Sequence, residues 1–160
     1  MRKQIIKEET RGVSPVETQD WLDLERLVQV ELTSEDAKHA IESALVSNTG
    51  SGWRAQSPGK QIIRLLFDTP QRISRIQLVF QEDALDRTQE FVLRWSRGTG
   101  EPPSEIVRQQ YNFSPPGNTR ELEDYIVDLD TLTILELEII PDISGGSVRA
   151  SLEQLRLASS

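Results

Sequence analysis

Apolar and polar residues alternate along this chain in short runs, the period of a half-buried β-strand. "VQVEL" sets Val28, Val30 and Leu32 on one face and Gln29 and Glu31 on the other. "QIIRLLF" groups Ile63, Leu65 and Phe67, and "ISRIQLVF" groups Ile76, Leu78 and Phe80. "TQEFVLRWS" aligns Phe91, Leu93 and Trp95; "EIVRQQYNF" offers Val107, Tyr111 and Phe113, with Gln109 interrupting their face. "YIVDL" shows Tyr125, Val127 and Leu129, "TILELEII" turns Leu135, Leu137 and Ile139 inward, and "SLEQLRL" closes the series. The stretches between these strands, "DTPQR", "QEDALDR", "RGTGEPPS", "SPPGNTRELED" and "PDISGGSVR", carry turn chemistry.

Helical periodicity is scarce. "VETQDWLDLERL" places Trp21, Leu22, Leu24 and Leu27 for one helical turn or an extended docking segment. Ser34, with Glu35 and Asp36, is placed to cap a short helix in "DAKHAIESALV", where Ala37, Ala40, Ile41, Ala44 and Leu45 share a stripe. With no βαβ alternation and no fixed-period repeat, the pattern predicts an all-β chain: an antiparallel β-sandwich or jelly roll with one short helix after the first strand. An open, partly mixed barrel is the alternative. Residues 1–20 read as a flexible arm and residues 21–160 as a single domain.

Composition narrows the function classes. The chain has no Cys, which removes disulfides, thiolate nucleophiles and Cys-ligated zinc and leans towards a reducing compartment. No apolar run has signal-peptide length or approaches the roughly 18 residues of a membrane span, so the expected location is cytoplasmic. The net charge of −8 argues against nucleic-acid and anionic-membrane partners. The charge is uneven, however. Glu121–Val148 holds eight acids and no Lys or Arg, whereas Arg54–Arg120 holds ten bases against seven acids, which leaves room for a basic patch in the middle third.

Catalytic chemistry finds few footholds, and no catalytic residue is expected. His39 is the only His, no G-x-S-x-G occurs, and one His without Cys cannot build an ordinary zinc site. The acids Glu82, Asp83, Asp86 and Glu90, interleaved with Arg87, read as a solvated face rather than a glycosidase pair. Asp128 and Asp130 lack the later ligands and the turn Gly of a calcium loop. "SNTGSGWRAQSPG" follows a helix and precedes a strand, unlike a phosphate-binding loop. It reads as the crossover into the sandwich, with Trp53 as a plug. Alternatively, an exposed Trp53 beside Arg54 stacks on a sugar or holds an anion. Trp95 belongs to the core and Trp21 docks the N-terminal segment. Asn112, Arg120, Asp142 and Arg149 sit in loops of binding character, where Arg120 is equally placed to pair with Glu121 or Glu123. Glu153 shares parity with Leu155 and Leu157 and therefore points inward, where a carboxylate needs a partner. That partner is a set of loop amides, an Arg such as Arg54, or a calcium ion shared with the Asn48–Gly52 carbonyls.

The order of elements is itself informative: a strand, "HAIESALV", a Gly/Ser loop ending in Trp, "GKQIIRLLFDTPQRISRIQLVF", "EFVLRWS" and a final "LEQLRL". From Val28 to Ala158 it resembles the discoidin, or coagulation factor 5/8 C-terminal type, domain of the galactose-binding-like superfamily. The resemblance implies a non-catalytic module that recognises carbohydrate or a protein surface through loops at one end of the sandwich. On that basis Trp53, Arg54, Asn112, Arg120, Asp142 and Arg149 are the expected ligand contacts. An intracellular scaffold domain, as in a bacterial assembly, is the alternative. The resemblance also implies a structural calcium on Glu153, although "S-N-T-G-S-G-W" lacks the Asp that many members carry before the Trp, and no other cofactor is required.

Overall fold

The computed structural model describes residues 20–46, 51–98 and 100–159. The expected arm and Ser47–Gly50 of the Gly/Ser loop lie outside the described residues. Strand makes up 61% of the structure and helix 6%, so the chain is all-β. In order the elements are α1 (Leu24–Leu27), β1 (Val28–Leu32), α2 (Glu42–Leu45), β2 (Trp53–Arg54), β3 (Gln61–Gln81), β4 (Arg87–Ser96), β5 (Ser104–Phe113), β6 (Arg120–Ile140), β7 (Ser151–Leu152) and β8 (Gln154–Ala158).

Two long strands organise the sandwich. The expected turn at "DTPQR" is not a chain reversal. β3 runs through it and stays paired with β6, absorbing the bend in register shifts between Leu66 and Arg75. Bulges of this kind bend a strand without ending its ladder, and they accommodate Pro70, which has no N–H to donate. On β6 the bend falls at Thr131, whose φ of 51° is left-handed and whose hydroxyl accepts from Arg97 Nε at 3.0 Å. β6 likewise joins the two strands expected at "YIVDL" and "TILELEII", and it begins at Arg120, inside the expected "SPPGNTRELED" loop. The first half of β3 and the second half of β6 lie in a front layer ordered β1–β3–β6–β4–β5. Their other halves form a back layer with β8, and every strand pairing is antiparallel.

The core fills the gap between the layers. Ile63, Leu65, Phe91, Leu93, Leu137 and Ile139 enter from the front, and Ile76, Leu78, Phe80, Leu155 and Leu157 from the back, none more than 1% exposed. Phe80 and Phe91 meet across the gap with ring centroids 5.3 Å apart. Trp53 is 1% exposed, and its indole N–H donates to the Ser34 carbonyl at 3.2 Å; it is the expected plug. Trp95 is half-buried against the core. Trp21 bridges to Ala158 and carries the Arg75 guanidinium over its ring, docking the start of the described chain. The expected helix at "DAKHAIESALV" shrinks to the single turn of α2, because Asp36 and His39 close a tight turn held by the His39 amide on the Asp36 carbonyl.

The uneven charge resolves into ion pairs across the strands. Arg64 and Arg94 flank Glu136 at 2.8 and 2.9 Å, and Arg94 also reaches Glu138 at 2.9 Å. Arg75 meets Asp124 at 2.6 Å, Arg72 meets Asp128 at 2.7 Å, and Arg97 meets Asp130 at 2.9 Å. The acids of β6 thus neutralise the bases of the middle third, and these arginines do not add up to a free basic patch. The Arg72–Asp128 and Arg97–Asp130 pairs are exposed on both sides and contribute little stability each, about 0–1 kcal/mol.

Gly52 explains why a Gly precedes the Trp. Its φ is +78°, and a Cβ there would lie 2.5 Å from the Leu152 carbonyl oxygen and 2.6 Å from Glu153 Cα. Gly52→Ala is therefore expected to destabilise the fold by about 2 kcal/mol in urea unfolding, through backbone strain and overpacking. Gly59→Ala, where nothing lies within 4 Å of the new Cβ, is the control for strain alone and should cost less. Equal losses would show that the approach of Gly52 to Glu153 is unimportant.

Candidate functional site

The layer-to-layer crossings place loops 55–60, 82–86, 114–119 and 141–150 at one end of the sandwich. Two clefts open there. The first, of about 200 Å³, is lined by His39, Arg54, Gln81, Asp83, Glu153 and neighbouring serines. β2 sets its wall: Trp53 turns inward, so Arg54 turns out. The strand is held on one side by β7 and on the other by the Asp36–His39 turn, where the Arg54 amide donates to the His39 carbonyl at 3.1 Å and the Asp36 amide to the Arg54 carbonyl at 2.9 Å. That clamp brings the one imidazole of the chain beside the Arg54 side chain. His39 Nδ1 lies 3.5 Å from Asp36 Oδ2 and makes no aligned hydrogen bond. The Lys38 amide, and after it His39, hold the Asp36 carboxyl below its ordinary range. Gln81 donates to Asp83 at 2.9 Å, orienting both.

The second cleft, of about 450 Å³, lies between the start of β4, the end of β5 and the 141–150 loop. Thr88 donates to Asn112 Oδ1 at 2.6 Å, and Asp142 Oδ1 accepts the Ser144 amide and hydroxyl at 3.1 and 2.8 Å. Those two donors keep the Asp142 carboxyl below its ordinary range. The floor is Arg87, 5% exposed, with its guanidinium 4.6 Å from the Phe113 ring centroid.

Arg87 begins a buried polar chain that runs between the layers. It donates to Glu82 at 2.7 Å, to the Pro141 carbonyl at 2.8 Å and to Gln89 at 3.1 Å, and Gln89 donates to Glu121 at 3.1 Å. Burial pushes Glu82 up, but the Ala84 amide, Arg87 and the Leu85 amide together hold it below its ordinary range. Glu121 goes the other way. It is 1% exposed, its Oε2 has no donor, and burial together with the neighbouring Glu123 raises it to about 9. A proton on the orphan oxygen accounts for both facts, because an acid O–H can donate where a carboxylate cannot. Glu123 in turn accepts the Tyr125 hydroxyl at 2.7 Å.

The candidate residues from the sequence divide among these features. Arg54 and Glu153 share the first cleft, and Asn112 and Asp142 share the second. Arg149 is exposed, bridges to Gly59 and lies near enough to Asp36 to lower its carboxyl, as a lesser contribution. Trp53 also borders the first cleft, but at 1% exposed it offers that cleft no open indole face. Glu153 is corrected. A bend between β7 and β8 breaks the parity with Leu155, so its side chain is 28% exposed and lies 3.6 Å from Arg120 rather than Arg54. Arg120 therefore pairs with neither Glu121 nor Glu123, and its carbonyl accepts the Tyr111 hydroxyl at 2.9 Å. Among the described residues no three His, Cys, Asp or Glu side chains gather for a metal ion, and the one carboxylate at Glu153 faces a guanidinium. The loop carbonyls at Asn48–Gly50 lie outside the described residues. His39, Gln81, Asp83, Thr88 and Ser144 were not singled out as ligand contacts by sequence. Only the tight turn at Asp36–His39 has a local signal in the sequence, and its spacing predicts helix.

This is the discoidin, or galactose-binding-like, fold. No protein-family model and no curated protein matches the sequence. Among solved structures, a family 32 carbohydrate-binding module of NanJ from C. perfringens, in complex with galactose, is similar at TM-score 0.60 and 12% identity over 86% of this chain and 96% of that one. A CBM32 module from a family 31 glycoside hydrolase of Clostridium perfringens is similar at TM-score 0.61 and 14% identity over 94% and 100%. A GH29 fucosidase of Ruminococcus gnavus in complex with fucose is similar at TM-score 0.64 and 9% identity over 87% of this chain, which spans 27% of that enzyme.

The buried acid has a measurable consequence. The folded chain holds the Glu121 proton up to about 9, while an unfolded chain releases it near the ordinary 4.5. Between those values the native state binds more protons than the unfolded one. Stability therefore falls as pH rises, by at most about 1.4 kcal/mol per pH unit. Glu121→Gln keeps a neutral side chain and should flatten that fall, as read from urea unfolding at about pH 5.5 and about pH 8.5. Identical slopes in the two proteins would contradict a protonated Glu121.

Proposed function

We propose that this chain is a non-catalytic carbohydrate-binding module that reads glycan hydroxyls at the loop end. The observation that carries the reading is the convergence of fixed donors and acceptors in the two clefts, on a fold shared with modules solved in complex with sugars. A sugar hydroxyl both donates and accepts. Arg54 supplies a planar fork of donors that suits vicinal hydroxyl oxygens, Asp83 and Glu153 supply acceptors, and Gln81 and His39 supply both kinds. In the second cleft Thr88–Asn112 and Asp142–Ser144 are already oriented by their own hydrogen bonds, so less ordering is left for binding. Neither cleft exposes an indole, since Trp53 is buried, and recognition therefore rests on polar contacts and suits weak, hydroxyl-specific binding.

The charges support binding rather than hydrolysis. Glycoside cleavage pairs a carboxylate with an acid whose pKa is raised. Here the raised acid, Glu121, is buried away from the clefts, and Asp142 is held low. Glucose, galactose, fucose and GalNAc-β-1,3-galactose, with a uronic acid added, form a suitable calorimetric panel. At least one sugar is expected to bind saturably, with Arg54→Ala or Asp83→Ala weakening it about tenfold, in keeping with the roughly 1.4 kcal/mol of a charged hydrogen bond. The parallel pair Asn112→Ala and Asp142→Ala shows whether the second cleft shares the ligand. Silence across the panel, or affinity unchanged in all four variants, would refute the proposal.

A further inference from the structure

The flank of the sandwich, away from the loop-end clefts, carries an apolar groove of about 360 Å³ between β1 and the α2 segment. Val28, Val30 and Leu32 form one wall, and Ile41 and Leu45 stand opposite. Three exposed acids, Glu25, Glu35 and Glu42, line its rim, and no Lys or Arg does. The groove is thus greasy inside and negative at its border, on a chain whose net charge is −8.

Among the described residues nothing covers the backbone beside it either. Among the described residues β1 pairs only with β3. The Thr33 amide donates to the Ile62 carbonyl at 3.0 Å, and in an antiparallel pair such bonds fall on alternate residues. Thr33, Glu31 and Gln29 therefore turn their backbone groups towards β3, and Val28, Val30 and Leu32 turn theirs outward. The Val28 amide is taken by the Leu24 carbonyl, which leaves the amides of Val30 and Leu32 on the open edge. The same residues thus present apolar side chains to the groove and, to the edge, amides that no described residue pairs. An added strand needs both, because its main chain pairs with the edge while alternate side chains fill the groove. A second copy of this chain is a poor occupant, since it would bring two acidic rims together.

We propose that this groove docks an extended, basic segment of a partner protein in which apolar residues alternate with Lys or Arg. The probe is a fluorescent peptide of four Lys-Val repeats, with an acidic peptide of four Glu-Val repeats and a block peptide of four Lys then four Val as controls, read by anisotropy on the full chain. The alternating basic peptide should bind saturably, the acidic one should not, and the block peptide should bind at least tenfold more weakly. Hydrogen exchange at the Val30 and Leu32 amides should slow on binding. Val30→Pro removes an outward N–H and leaves the β3 ladder intact, so it should keep the fold and lose at least tenfold in affinity. Glu25→Lys with Glu42→Lys, a purely surface change, should do the same even if the proline variant fails to fold. Equal binding of the block peptide, or full affinity in the charge-reversed variant, would overturn the proposal. So would Val30 and Leu32 amides already protected in the free monomer, or a concentration-dependent dimer that protects them.

Discussion

The antiparallel pairing of β3 with β6 is the constraint from which the rest follows. Each strand crosses from one layer to the other, and because they cross together the ladder is never broken for long. Both ends of β3 and both ends of β6 therefore lie at a single rim and deliver their loops there. Bulges between Leu66 and Arg75 and the left-handed Thr131 are the local strain that this continuity requires. Without the shared bend, the 82–86 loop with Asp83, the end of β5 with Asn112 and the 141–150 loop with Asp142 would not face one another.

Polar groups inside and outside the sandwich do different work. The arginine–carboxylate pairs over β3, β4 and β6 are each satisfied by a partner from the register the strands adopt, and a one-residue slip would set Arg64 and Arg94 opposite Leu135 or Leu137 instead of Glu136. The buried chain from Glu82 through Arg87 and Gln89 to Glu121 is costlier, since a charge taken from water must be fully partnered. Arg87 meets that need by tying the 82–86 loop, β4 and the Pro141 carbonyl into one unit. Glu121 meets it by staying protonated. The floor of the second cleft is therefore stiff, which is what a site made of short polar side chains needs in order to present its donors in fixed directions.

Much of the architecture was legible because inward residues recur at every second position. Ile63, Leu65 and Phe67, or Leu135, Leu137 and Ile139, declare their face without any knowledge of the partner strand. The errors arose where a local signal met a long-range requirement. "DTPQR" has turn composition, yet the ladder with β6 carries it as a bulged bend. "DAKHAIESALV" has helical spacing, yet the hydrogen bonds of Asp36 and His39 to β2 hold its first half as a turn. Glu153 had strand parity, yet the close approach of Gly52 accompanies a bend at that residue. The site was legible as a set of loops but not as two clefts. Which polar groups share a cleft depends on contacts between residues far apart in the chain, such as Thr88 with Asn112 or Arg120 with Glu153, and no periodicity encodes those.

The central claim is that the loop rim is the ligand-binding surface. A backbone amide shift map of the isotope-labelled chain, titrated with the best sugar of the panel, tests it most directly. The account predicts saturable shifts confined to residues around Arg54, Asp83, Thr88 and Asp142, with the far end at Trp95 and Thr131 unmoved. Shifts that cluster at the far end, or that spread evenly over the sandwich, would contradict it.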